Sequence, residues 1–119
     1  LFRMENNILQ SCHVEKGKIH KMLGENEKLS AVIFVDDIIG SGRTAEDNLS
    51  DLAEEYPRIY TMLPTGSFFF VSICGFEKSI EKLKDSFDNK HIPVEILTCD
   101  MLGEESCCFS DVSNIFCSD

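Results

Sequence analysis

Ala31 to Thr44 reads AVIFVDDIIGSGRT, and the rest of the chain can be placed around it. Val32, Ile33, Phe34 and Val35 run directly into the acids Asp36 and Asp37. An unbroken β-branched and aromatic run suits a strand buried on both faces, as in a parallel sheet. The expectation is a strand over residues 31–35 with both carboxylates at its end. Carboxylates are costly beside an apolar sheet, so two in succession call for a ligand. Ile38 and Ile39 then lead into Gly40-Ser41-Gly42-Arg43-Thr44. Glycines there tolerate positive φ, and the hydroxyls fall where a helix begins. Strand, acids, glycine loop and helix in that order suit a phosphorylated sugar. A tight turn and a helix cap would account for the loop alone, but not for the adjacent acids.

The segments downstream repeat the alternation of strand and helix. Ala45, Leu49, Leu52, Ala53 and Tyr56 recur at helical spacing, which predicts a helix over 44–55. Thr44 with Asp47 has the form of a capping box. Pro57 closes that helix, and residues 58–67 read as a connection turning at Pro64 and Gly66. FFFVSIC, Phe68 to Cys74, is a second buried strand stopped by Gly75. Phe76, Ile80, Leu83 and Phe87 then form the apolar stripe of a helix, with Glu77, Lys78, Glu81, Lys82 and Lys84 on its solvated side. PVEILTC, Pro93 to Cys99, makes a third strand. Strands separated by helices of this length imply right-handed crossovers and a parallel sheet.

In the stretch Val32 to Thr44 the chain resembles the phosphoribosyl-diphosphate-binding signature of the type I phosphoribosyltransferases. The shared order is an apolar run, two acids, two apolar residues, then small-Ser/Thr-Gly-x-Thr. The resemblance implies an α/β fold: a three-layer sandwich with a mainly parallel sheet and a βαβαβ core. It implies that Asp36 and Asp37 face the ribose hydroxyls, directly or through Mg²⁺ bound outright or by way of water. It assigns the 5′-phosphate to Gly40, Ser41, Gly42, Arg43 and Thr44. The implied ligand is phosphoribosyl diphosphate or another phosphoribosyl group, and the implied chemistry is Mg-dependent transfer in nucleotide metabolism. Helix N-terminal N–H groups and the positive end of the helix dipole favour an anion at that loop. No residue is assigned to the chemical step itself.

Residues 1–30 offer no apolar run followed by a glycine loop, the pattern expected of the family's pyrophosphate-binding segment. This favours a second reading, a module that binds the phosphoribosyl group without transferring it. VIFVDD also resembles the Mg-holding strand of a nucleoside triphosphatase, but no G-x-x-x-x-G-K-[ST] loop accompanies it. A response-regulator receiver would need an acid closing a later strand, where this chain has Cys74-Gly75.

Composition sets the outer bounds. A chain of 119 residues fits one domain, or the C-terminal part of a larger one, and it opens on Leu1 in what reads as mid-helix. Its net charge of -10, from 21 acids against 11 Lys and Arg, makes general nucleic-acid binding unexpected. No apolar run is long enough to span a membrane, and a cytoplasmic protein is expected, with oligomerisation left open. The six cysteines (Cys12, Cys74, Cys99, Cys107, Cys108, Cys117) lack zinc-ligand spacing and read as free thiols. His13 and His20 read as surface residues, and Glu104, Glu105 and Asp111 as an acidic surface. Helices are expected over 1–10 and 14–23, the second ended by Gly24. The tail from Asp100 lacks periodicity, although Met101, Leu102, Phe109, Val112, Ile115 and Phe116 provide apolar anchors.

Overall fold

The computed structural model describes residues 7, 9–15, 18, 21, 30–62 and 64–107. The helices expected over 1–10 and 14–23, and most of the tail, lie outside these. The order is β1 (Val32–Ile39), α1 (Arg43–Glu55), α2 (Ile59–Met62), β2 (Phe68–Phe76), α3 (Glu77–Asn89) and β3 (Glu95–Leu102). Short 3₁₀ turns stand at Gln10–Cys12 and Glu104–Ser106.

The sheet has three strands in the order β1-β2-β3, all parallel, as the alternating pattern predicts. Phe34 lies beside Phe70, and Phe70 beside Ile96, in successive rungs of the ladder. Both crossovers run in the same direction across the sheet, so right-handed connections put α1 and α3 on one face. That face carries the core. Ala45 and Leu49 of α1 meet Ile80, Leu83 and Phe87 of α3 over Ile39, Phe70 and Ile96. A smaller cluster joins Leu52, Ile59 and Phe68.

The opposite face is different. Ile33, Val35, Ile73, Leu97 and Met101 are between 44% and 63% exposed there. The described residues therefore build two layers of the expected sandwich, a sheet and one layer of helices.

Every strand departs from its expected limits. β1 runs on to Ile39, so Asp36 and Asp37 lie within the strand and not beyond its end. β2 passes through Gly75 to Phe76, and β3 starts at Glu95 and takes in Met101 and Leu102. Ladder hydrogen bonds belong to the backbone, so polar side chains and a glycine do not stop a strand whose neighbour still supplies partners. The alternation slips by one residue: Phe34 and Asp36 face the helices, but Ile39, not Ile38, is buried next. Gly75 makes room for this. A Cβ there would lie 2.8 Å from Ile80 Cδ1 and 3.1 Å from Ile39 Cβ.

The connection expected over 58–67 contains the short helix α2. Ile59 is 1% exposed, and the Tyr60 ring meets Phe68 edge-on at 4.6 Å. Burial of the Tyr60 phenol, whose hydroxyl donates to the Leu49 carbonyl, pushes its pKa up to about 12.

Candidate functional site

The two acids occupy consecutive positions of β1. Asp36 is half-buried in register with Ser72, whose hydroxyl meets that of Thr98 at 3.0 Å on β3. Asp37 is exposed. Each carboxylate is fastened to the next peptide: Asp36 Oδ1 accepts from the Asp37 N–H, and Asp37 Oδ1 from the Ile38 N–H, both at 2.9 Å. One oxygen of each is thereby oriented, and the other is left for a ligand.

The loop between β1 and α1 is built on Gly42. Its φ of +79° is left-handed backbone, which glycine adopts without a Cβ penalty. A Cβ there would make ordinary van der Waals contact, 3.5 Å from the Ser79 carbonyl oxygen and 3.7 Å from Leu83 Cβ, so it is the backbone conformation and not space that calls for glycine. Gly42 is the N-cap of α1, and no side chain caps that end. The expected capping box does not form, since Thr44 is already inside the helix. A glycine cap leaves first-turn N–H groups without intrahelical acceptors. Ser41 Oγ accepts from the Arg43 N–H at 3.4 Å, which leaves its own O–H to donate. Ser41, Arg43 and Thr44 are exposed, and Gly40 has no atom within 4 Å of a built Cβ.

The loop thus stands at the junction of β1 and α1, while Asp36 and Asp37 lie back within the strand and do not line the hollow beside the loop. The sequence model of the PRTase-CE family, a phosphoribosyltransferase-related domain, matches residues 1–119. The chain belongs to the PRTase-CE family. No curated protein and no solved structure matches it.

In this PRTase-CE domain a hollow of about 230 Å³ opens beside the loop, lined by Ser41, Gly42, Arg43, Glu46, Lys82 and Leu83. Glu46 would oppose an anion, but its carboxylate is drawn to α3. Ser86 Oγ donates to its Oε1 at 2.6 Å and Lys90 Nζ at 2.8 Å, and Lys90 also donates to Ser50 Oγ at 3.1 Å. The Lys90 hydrogen bond, then that of Ser86, holds the Glu46 carboxyl below its ordinary value. Sequence reading missed this grouping. The helical pattern places Lys82 on a solvated face and says nothing of a partner 44 residues from Glu46.

The donor chemistry of Asp36 and Asp37 fits Mg²⁺, which takes hard oxygens from one or two carboxylates and fills its shell with water and phosphate. Successive strand residues project to opposite faces, so Asp36 points to the helix side of the sheet and Asp37 away from it. Among the described residues no group of three His, Cys, Asp or Glu forms a further metal centre. No helix among them is long and apolar enough to cross a membrane.

Proposed function

We propose that this PRTase-CE domain binds a phosphoribosyl group, as phosphoribosyl diphosphate or ribose 5-phosphate, for Mg-dependent transfer. The observation that carries this is the uncapped start of α1 at Gly42, directly beyond a strand that bears two acids. Asp36 and Asp37 would accept from the ribose hydroxyls and could hold Mg²⁺, directly or through water. The ion would share the negative charge of the departing pyrophosphate. Ser41 and Thr44 would donate their hydroxyls to the 5′-phosphate, first-turn N–H groups would donate alongside them, and Arg43 would add a cation. Catalysis by such a site is positioning and electrostatics. Binding without transfer is the second reading.

Calorimetric titration with phosphoribosyl diphosphate, with and without Mg²⁺, and with ribose 5-phosphate tests the first step. Alanine at both Asp36 and Asp37 should weaken the Mg-dependent affinity by roughly tenfold to a hundredfold, the worth of hydrogen bonds to charged groups. Unchanged affinity would remove the acids from the site. Pyrophosphate release with candidate nitrogenous acceptors separates transfer from binding.

A further inference from the structure

We infer that helix α3 sets the charge of the phosphate hollow: Lys82 lends it a cation, while Lys90 and Ser86 offset the Glu46 carboxylate on its wall. This rests on the phosphate-binding reading above and adds residues that neither the signature nor the family match assigns.

The hollow is walled by Arg43 and Lys82 on one account and by Glu46 on the other. Glu46 stands in the first turn of α1. A carboxylate there is attracted by the helix dipole and by a neighbouring arginine, so it competes with any incoming anion for the same donors. In this structure Arg43 still acts on it, but its hydrogen bonds come from α3. Its Oε1 takes hydrogen bonds from Ser86 and Lys90, and Lys90 is steadied in turn by Ser50. Glu46 stays on the wall of the hollow with Lys82, and its ion pair with Lys90 offsets its charge there. Lys82 remains on the hollow beside Ser41 and Arg43. Lys90 and Ser86 are positioning residues, because they act on the ligand only through Glu46. Lys82 would touch the phosphate itself.

The test is titration of the chain at low salt with inorganic phosphate and with ribose 5-phosphate, followed by ³¹P NMR. The variants are Lys90→Ala, Glu46→Gln, their combination, and Lys82→Ala. Lys90→Ala should weaken both ligands about fivefold, the effect of one unit charge within roughly 8 Å at intermediate dielectric. Glu46→Gln in that background should restore wild-type affinity, and the difference should shrink as salt is raised. Lys82→Ala should weaken binding to a similar extent, and Glu46→Gln should not rescue it. Circular dichroism confirms that each variant is folded. Wild-type affinity in Lys90→Ala, or a loss that Glu46→Gln fails to relieve, overturns the inference. Phosphate binding that follows this pattern while the ribose adds nothing would remove the phosphoribosyl reading and leave the role of α3 standing. Failure of wild type to bind either ligand would remove both.

Discussion

Two strand-to-helix junctions of this sheet share a direction and differ in almost everything else. α1 and α3 are 13 residues each, and each follows a parallel strand. β1 reaches α1 through Gly40-Ser41-Gly42, whereas β2 passes into α3 with no loop, Phe76 being both the last strand residue and the N-cap. At α3 the first turn carries Glu77, and Lys78 is paired with Glu104 beyond β3. Glu77 already answers the helix dipole there. At α1 the one acid of the first turn is tied to Lys90 instead. The two junctions differ in what precedes the helix, a glycine loop at α1 and an unbroken strand at α3, and in where the first-turn acid is engaged.

The two glycines of these junctions do different work, and substitution should separate them. Gly42→Val should cost the most, about 3 kcal/mol, from a branched side chain forced into left-handed backbone. Gly40→Ala, with open space around its Cβ, is the control and should unfold like wild type in urea. Equal losses at both positions would mean that loop flexibility, not the Gly42 conformation, sets the junction.

At the other junction the constraint is space. Gly75→Ala should cost about 2 kcal/mol, since its Cβ meets Ile80 and Ile39. Ile80→Val removes the closest of these atoms, so the double variant should be less destabilised than the two single losses added together. Strict additivity would show that Gly75 is needed for its backbone instead.

The smallest expected effect is at low pH. Glu46 titrates below its ordinary 4.5 in the folded chain, so its pairing stabilises the fold above that value and is lost as pH falls through the lowered one. The Glu46 and Lys90 side chains are 37% and 44% exposed, so solvent screening keeps the contribution small. The difference in Tm between wild type and Glu46→Gln should close as pH falls through and below the ordinary carboxylate range. A constant difference would mean that Glu46 contributes by packing.

Helix faces were legible from spacing: Leu49, Ile80, Leu83 and Phe87, all placed on apolar stripes by periodicity, are 3% exposed or less. Strand limits were less so. Asp36, Asp37 and Gly75 look like strand ends because of their side chains, but the parallel pairing of β1 with β2 includes Asp36 and runs on through Ile38, Ile39 and Gly75. Ile59 and Tyr60 were hidden in a stretch that prolines and a glycine mark as a turn, and a single helical turn is too short to show a period.

The sequence by itself determined the parallel α/β class, the apolar stripes of α1 and α3, and the glycine loop that follows the paired acids. These are properties of neighbours along the chain, and periodicity records them directly. Only the tertiary structure decided that Gly42 and not Thr44 caps α1, that both helices share one face of the sheet, and that Lys90 engages Glu46. Those outcomes depend on which groups meet across space. A left-handed glycine is set by the turn that joins strand to helix, and a carboxylate's partner by the cation the fold brings beside it.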